Sequence, residues 1–496
     1  MASMSPTNRE RIDGLALFCA IAFGLGLGLI AALERVGAPD GFVAALGPLI
    51  ALLGICVIGV LTRASSLPEF LAARRSLPSF YGGLAFVGVA TGLTTAMAAR
   101  SDGGAPTPWL GVAIGLVGAA LVFAPGWRAE NASSLGDVLA TRFPARPTRI
   151  AFAVILVISG LLTAVAGFDL ASNTLVVSMG ISRRAAEALV MLALGFSVVP
   201  GGLKGASWTD AASAGGALLI VAIGAAFAIS KSPGALQPLT AGLDAAVAAS
   251  RPAAGGPALT AQVAAALAVA GFFVFAPPAI GAGSVGQARR TGFVGLLIGL
   301  VGLALAAIAL PYVGASEVGQ TRTAAALIAT ATWLPALVLT RAGVLGAARA
   351  VGLDLATAYS RLTVLSSQRI AWIRLAMIAA IAICPFAVGA PRLADGRALY
   401  LALAIGLAFL TPSLLLGWIW RAPTGSALFA LAVAAAGSVP IGPPPRGADL
   451  LVNALIIGAA SFLAGAAFAI VFPGRRKRGR RLLSDPFVDV PLDPAE

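Results

Sequence analysis

The amino-acid sequence predicts an all-α polytopic membrane protein with about fourteen spans. Of its 496 residues, 59% are hydrophobic and only 11% are charged, whereas soluble domains are about 45–50% apolar. The mean hydropathy is +0.94. Apolar runs follow one another along the chain, and about 20 such residues cross a bilayer as one helix. These observations predict a large helical bundle surrounded by lipid.

Charge-free windows of about 19 residues locate the spans. We predict them at 12–32, 41–61, 79–99, 107–127, 150–170, 186–203, 207–230, 259–283, 291–313, 324–346, 371–390, 398–420, 424–441 and 451–472. The first run follows Arg9 and Arg11, as a secretory signal would, but it is long and no small-residue cleavage site precedes Glu34. We therefore interpret it as a retained span.

The distribution of positive charge predicts the orientation of the bundle. With fourteen spans, roughly two thirds of the 34 Lys and Arg residues fall on the side that carries the N-terminus, and positively charged loops stay in the cytoplasm. Both termini are therefore expected in the cytoplasm, in a multi-pass protein of a bacterial inner membrane. The basic run 475–481 directly follows the last span, so its expected neighbour is the lipid bilayer and not a nucleic acid.

The side chains that many enzymes need are missing. The chain contains no histidine, which excludes imidazole bases and His-ligated haem or zinc. Its three cysteines, Cys19, Cys56 and Cys384, each lie inside an apolar run and indicate neither a disulfide nor a metal site. We therefore expect a non-enzyme without a cofactor.

Three segments carry a family pattern in the same order along the chain. They are 67–78, LPEFLAARRSLP; 134–143, SLGDVLATRF; and 201–210, GGLKGASWTD. Together they resemble the sodium/solute symporter family over roughly residues 62–420, and the third segment is the most specific. The connection from the second to the fifth core helix looks most like the acetate and monocarboxylate permease branch of that family.

The resemblance implies a LeuT-type core of two inverted five-helix repeats around a site at the bilayer midplane. Core helices one to five would be the spans from 79–99 to 207–230, and core helices six to ten those from 259–283 to 398–420. The chain would then divide into two accessory spans at 1–61, a first repeat at 62–258, a second repeat at 259–420, two further spans at 421–472, and a basic then acidic tail at 473–496.

Core helices one and six are expected to be broken near the midplane. Glycines and prolines interrupt both of them, at Gly82, Gly83, Gly88, Gly92, Gly271, Pro277, Pro278, Gly281 and Gly283. Interruptions at corresponding places in two repeats indicate a binding site, although these residue types are also common in membrane helices in general. The candidate substrate-binding residues are Thr94, Thr95, Gly271, Phe273, Phe275 and Asp169.

The resemblance also implies a sodium site between core helices one and eight. Its carbonyl ligands would come from Gly88, Thr91 and Ala336, and its two hydroxyl ligands would fall on Leu339 and Thr340. Leucine offers no oxygen, so one ligand is missing. The ion site is therefore expected to be degenerate, and sodium is only a candidate ion.

Arg341 lies next to this site inside an apolar stretch, where an unpaired charge is costly. Either its guanidinium stands where a cation would bind, or it snorkels to the lipid headgroups. Its candidate partners are Asp169 and Asp210. The resemblance places Asp210 on the ion path, although the residue also suits the start of a helix. Asp169 either lines the substrate cavity or ends a span.

These expectations describe a secondary active transporter that moves a small organic solute by alternating access. A short carboxylate is favoured, because aromatic residues dominate the expected cavity and the hydroxyl partners that a sugar needs are few. Coupling to sodium, to protons or to neither stays open, as does the oligomeric state. The alternative is a membrane sensor or assembly subunit that derives from a symporter and no longer transports.

Overall fold

The structure is a computed structural model that describes residues 6–98, 108–130, 133–231, 259–315, 321–356, 366–390, 393, 396–420, 422–438 and 447–472. All regular structure in these residues is helical. The α-helices are α1 (Pro6–Arg35), α2 (Asp40–Leu61), α3 (Leu67–Ala72), α4 (Ser79–Ala98), α5 (Trp109–Gly118), α6 (Ala124–Ala129), α7 (Leu135–Arg142), α8 (Arg146–Met179), α9 (Arg183–Val198), α10 (Gly202–Lys231), α11 (Leu259–Ala270), α12 (Ala276–Ile280), α13 (Val285–Ala315), α14 (Arg322–Arg349), α15 (Ser366–Val388), α16 (Arg397–Ile405), α17 (Thr411–Leu415), α18 (Thr424–Gly437) and α19 (Ala448–Val471).

Local sequence signals set several helix ends. The hydroxyls of Ser134, Ser182 and Thr321 each accept a hydrogen bond from the backbone amide three residues later, at the starts of α7, α9 and α14. Such caps satisfy amides that have no partner inside the helix. Gly180 ends α8 in the left-handed conformation, which glycine adopts without strain.

Eleven helical stretches are long and apolar enough to cross a membrane, and two of them, Trp109–Ala129 and Arg397–Trp418, combine shorter helices through π-helical turns. Counting α11 and the segment Phe273–Ile280 together as one bent span raises the number to twelve. The other two predicted spans coincide with α9 and α18, which have 16 and 14 residues. The multi-pass membrane architecture is thus confirmed, whereas the number fourteen is not.

Core helix one, which is α4, differs from the prediction. It is a continuous α-helix from Ser79 to Ala98 and is not unwound at its glycines. The glycines serve close packing instead: a Cβ on Gly92 would clash with the carbonyl oxygen of Pro335, and one on Gly83 would lie 2.8 Å from Val294 Cγ1. Small residues let membrane helices approach backbone to backbone.

Core helix six is broken, as predicted. α11 ends at Ala270, a 3₁₀ turn covers Phe273–Phe275 and leads into α12, and the segment Phe273–Ile280 is bent by 41° relative to α11. Gly271 lies against core helix ten, because a Cβ there would be 2.7 Å from the Thr411 hydroxyl oxygen. The two halves therefore differ: only the second repeat has an interrupted first helix among the described residues.

Core helix eight, which is α14, lies at the centre of the bundle. It packs against α2, α4, α8, α10 and α15. Its side chains are buried without interruption from Trp333 to Leu345. Any polar group in this stretch must therefore find its partner inside the protein.

The predicted tail at 473–496, with its basic run, lies outside the described residues.

The close packing around α14 is testable by adding single methyl groups. We expect Gly92→Ala and Gly167→Ala each to lower the free energy of unfolding by about 1–3 kcal/mol, because overpacking forces neighbours apart. At Gly167 the new Cβ would lie 2.6 Å from Thr340 Oγ1. Thermal unfolding in detergent is the measurement. Gly215→Ala is the matched control, since a Cβ there meets nothing within 4 Å, and an equal loss in this variant would contradict the packing argument.

Candidate functional site

A charged residue sits in the middle of the buried stretch of α14. The side chain of Arg341 has 0% of its surface exposed. Its Nε donates a hydrogen bond to Oδ1 of Asp210 over 2.7 Å. Its Nη2 donates to the Ser213 hydroxyl over 2.8 Å and to the Thr209 carbonyl over 3.4 Å. The guanidinium therefore reaches α10 and not the lipid headgroups, so the snorkelling interpretation was wrong.

The spacing of polar residues on α10 produces this arrangement. Asp210 and Ser213 are three residues apart and thus lie on one face of the helix. Asp210 lies about two turns inside α10, which begins at Gly202. It is therefore not a helix-start carboxylate but a buried partner of α14. Ser213 itself donates to the Thr209 carbonyl over 2.7 Å, which fixes its oxygen as an acceptor for Arg341.

Glycine lets core helix one pack against the same pair of helices. A Cβ on Gly88 would be 3.3 Å from the Asp210 carbonyl oxygen and 3.3 Å from the methyl groups of Val338. The Arg341 pair thus lies where α4, α10 and α14 meet. The Nη1 of Arg341 is buried and makes no hydrogen bond within the described residues.

The hydroxyls of the predicted sodium ligands donate hydrogen bonds within their own helices, and that of Thr340 faces Gly167 of α8. The Thr340 hydroxyl donates to the Ala336 carbonyl over 2.8 Å. The Thr91 hydroxyl donates to the carbonyls of Val87 and Gly88 over 2.8 and 3.0 Å. Because α4 is a continuous helix, its carbonyls also accept their own helical hydrogen bonds.

Leu339 contributes a carbon surface at this place. Its Cβ would be 3.0 Å from a Cβ added to Gly92, so it fills the contact between α14 and α4. A cation that has lost its water needs several oxygen ligands, and the guanidinium of Arg341 adds a full positive charge nearby. The residues present therefore do not fit a sodium ion in this conformation.

The candidate substrate residues fall in two regions. Phe273 and Phe275 are buried at the break of core helix six. The ring of Phe275 packs against Phe86 at 5.0 Å between centroids, and Phe273 packs against Gly346 of α14. Gly271 lies beside Thr411. This region is an aromatic layer between core helices one, six, eight and ten.

Thr94, Thr95 and Asp169 lie elsewhere. The two threonines are half-buried on α4, and the Thr94 hydroxyl donates to the carbonyls of Ala90 and Thr91. Asp169 accepts a hydrogen bond from Nη2 of Arg183 over 2.7 Å. It lines a narrow crevice together with Ala96, Leu170, Val388 and Gly396. Asp169 is therefore not the partner of Arg341.

A second buried charge cluster joins α7, α8 and the end of core helix eight. Asp354 is 1% exposed and accepts hydrogen bonds from the Ser134 hydroxyl over 3.0 and 3.2 Å. Arg149 lies 3.9 Å from Asp354 and 3.5 Å from Asp137. In the sequence, Asp137 belonged to the family segment 134–143, whereas Ser213 and Asp354 were not among the predicted site residues. The spacing of Ser213 from Asp210 was the signal that could have revealed its role.

Comparisons with known proteins give the fold. No family model matches the chain, and no curated protein matches its sequence. Among solved structures, a Na⁺-coupled sialic acid symporter in a substrate-bound outward-open state matches with a TM-score of 0.66 and 18% identity, over 88% of this chain and 98% of that one. The chain has the LeuT-type fold.

Two further solved structures resemble the chain more distantly. Mhp1, a nucleobase-cation-symport-1 family transporter, matches with a TM-score of 0.44 and 13% identity, over 85% of this chain and 98% of that one. A manganese transporter from Eremococcus coleocola matches with a TM-score of 0.40 and 14% identity, over 82% and 94%. Membership of the sodium/solute symporter family itself stays a prediction.

The Arg341–Asp210 pair is testable by removing its carboxylate alone and then both of its charges. We expect Asp210→Asn to lower the free energy of unfolding by about 3–5 kcal/mol, because it leaves a buried guanidinium that cannot lose its proton. The double variant Asp210→Leu with Arg341→Met should recover most of that loss, since no buried charge remains. The measurement is denaturation in detergent.

The exposed pair between Asp40 and Arg322, 3.0 Å apart, provides the control. Asp40→Asn should change stability little, because exposed ion pairs contribute little. If Asp210→Asn were as mild as Asp40→Asn, the pair would not be a buried constraint.

Proposed function

We propose that the protein is a secondary transporter that moves a small organic solute across the membrane by alternating access. The observation that carries this proposal is the interrupted core helix six, which lies beside the buried stretch of core helix eight from Trp333 to Leu345 in a LeuT-type fold. Discontinuous helices place free backbone groups near the midplane, where transporters of this fold bind their cargo.

The aromatic layer supports a small, mostly apolar substrate with one charged group. Phe86, Phe272, Phe273 and Phe275 are all buried around the break. The hydroxyl of Thr411 is the polar side chain closest to Gly271, and it already donates to the Gly406 carbonyl over 3.2 Å. A sugar would need many polar partners. A short carboxylate meets these conditions, with its apolar part against the rings.

Arg341 supports transport that does not depend on sodium. Its guanidinium is a permanent cation held against Asp210, the carboxylate that the resemblance places on the ion path, so the charge that an ion would bring there is already present. Leu339 also removes one of the two hydroxyl ligands of the predicted site. The sialic acid symporter with the similar fold is Na⁺-coupled, and we propose that this protein differs from it in that respect.

The remaining expectations belong to the same proposal. Both termini lie in the cytoplasm, and the chain is divided into accessory spans at 1–61 and 421–472 around repeats at 62–258 and 259–420. With this orientation the Arg341 pair lies in the cytoplasmic half of the bundle, and the crevice beside Asp169 opens to the outside.

Uptake into proteoliposomes tests the function directly. We expect labelled short monocarboxylates to enter at the same rate in sodium and in choline buffers, because Arg341 replaces the ion. Leu339→Ser combined with Arg341→Ser should make uptake rise with sodium by about tenfold, since it restores a hydroxyl and removes the fixed charge. Leu337→Ser with Arg341→Ser is the matched control, because residue 337 is not a predicted ligand.

The wild-type result separates the alternatives. Sodium-dependent uptake would contradict the proposed role of Arg341 but not the transport function. If no solute of a broad panel entered under sodium gradients, proton gradients or neither, the non-transporting sensor or assembly subunit would become the better explanation.

A further inference from the structure

Residues 64–77 connect α2 to α4 across one end of the bundle, and we call this segment the strap. It contains the short helix α3, whose side chains Leu67, Phe70 and Leu71 are buried. α3 packs against α10 and α15. Ser65 and Arg74 are exposed. The strap is therefore packed onto the end of the bundle through its apolar side.

Arginines of the second repeat hold the backbone of the strap. Arg349 of α14, which is 4% exposed, donates from Nη2 to the Leu71 carbonyl over 2.8 Å. Arg374 of α15 donates to the Val199 and Pro200 carbonyls between α9 and α10 over 3.2 and 2.9 Å, and from Nη2 to the Ala64 carbonyl of the strap over 3.4 Å. Its guanidinium also lies over the Phe70 ring, 5.4 Å from the centroid. Two core helices thus fix the first half of the strap.

The second half of the strap is tied to the chain that follows core helix six. The Leu77 amide donates to the Gly281 carbonyl over 3.1 Å. The Leu77 carbonyl accepts a hydrogen bond from Nε2 of Gln287 over 2.7 Å. The strap therefore joins the elements whose relative movement must open this end of the bundle.

A carboxylate closes the strap on itself. Glu69 accepts hydrogen bonds from the Ser65 amide and hydroxyl and lies 3.2 Å from Nε of Arg74 and 3.6 Å from Nζ of Lys204. Partial burial acts to raise the pKa of Glu69, but the bonds from Ser65 and the charges of Lys204 and Arg74 outweigh it and hold that pKa below its usual range. The carboxylate therefore stays ionised and attached.

The closed strap is strained. Ala73, Arg74 and Arg75 all have left-handed φ angles, of 48°, 50° and 56°. Residues other than glycine adopt this region reluctantly, because their Cβ approaches the backbone too closely. Three such residues in succession persist only where surrounding contacts fix them. Loss of those contacts would allow the strap to relax into an ordinary conformation.

We propose that the strap is the gate of this end of the protein, a strained segment that Arg349 and Arg374 hold shut and that leaves the bundle when the end opens. This inference rests on the proposed alternating access, and in the proposed orientation the gate is cytoplasmic. Opening replaces the arginine-to-carbonyl bonds by water and releases the backbone strain. The strain thus favours opening, and the arginines oppose it.

Cysteine labelling tests the gate without any substrate. The probe is Leu71→Cys in a background of Cys19→Ala, Cys56→Ala and Cys384→Ala, labelled in proteoliposomes with a membrane-permeant maleimide. We expect slow labelling of this buried position and a rate about tenfold higher in Arg374→Gln. Arg369→Gln on the same helix is the control, because Arg369 makes no hydrogen bond to the strap among the described residues. Equal labelling rates in Arg374→Gln and Arg369→Gln would overturn the proposal that Arg374 holds the strap shut.

A pair of adjacent alanines tests the strain. Ala73→Gly should lower the labelling rate, because glycine accepts the left-handed φ and the closed state becomes more stable. Ala72→Gly should not lower it, since Ala72 has a φ of −141°. Equal labelling rates in Ala73→Gly and Ala72→Gly would overturn the proposal that backbone strain at residue 73 favours opening.

Two further observations keep the result interpretable. Arg374→Lys, which keeps the charge and loses a donor arm, replaces Arg374→Gln if that variant does not fold, and it too should raise the rate. Failure of solute uptake with normal labelling responses would count against the proposed function alone. Uptake with unchanged labelling would count against the gate alone.

Discussion

The buried ion pair between Arg341 and Asp210 is the constraint on which the packing of the bundle depends. A guanidinium cannot lose its proton in a protein, so a fully buried one must keep its acceptors at hydrogen-bond distance. Asp210 and Ser213 supply them from one face of α10. The distance and register of α10 and α14 are therefore fixed, and the other helices must fit around this pair.

Glycines allow the neighbouring helices to pack closely around this ion pair. Gly88 and Gly92 bring α4 against α10 and α14, and Gly167 brings α8 against the Ala336 carbonyl and the Thr340 hydroxyl. The same glycines were the basis for predicting an unwound core helix one. A glycine in a membrane helix permits either unwinding or close approach, and its contacts decide which occurs. Around α14 there is no room for a side chain, so close approach prevails.

The sequence was sufficient for the architecture because lipid imposes a simple rule. Apolar runs of adequate length must be helices, and their bounds agree with the structure for most spans. α9 and α18 are too short for that rule, so the count was uncertain. Arg341 was recognisable in the sequence because it is a charged residue within an apolar run. Such a residue needs an acidic partner inside the bundle, and the candidates were Asp169 and Asp210. Hydropathy could not choose between them, because the choice depends on which face α10 turns toward α14.

The charged residues at the ends of core helices eight and nine escaped prediction for a different reason. Arg349, Arg374 and Asp354 follow or begin spans, where charged residues normally meet water, and no periodic pattern distinguishes a buried end from an exposed one. The buried arginine at residue 341 and the arginines at the helix ends differ in the kind of acceptor that they contact. Arg341 faces a carboxylate deep in the bundle, and separating them would leave two buried charges. Arg349 and Arg374 donate to neutral carbonyls at the end of the bundle, so breaking these contacts separates no ion pair. The ion pair of Arg341 thus lies inside the bundle, where the proposed alternation between two states needs a fixed contact. The arginine-to-carbonyl bonds lie at its end, where that alternation needs contacts that can break.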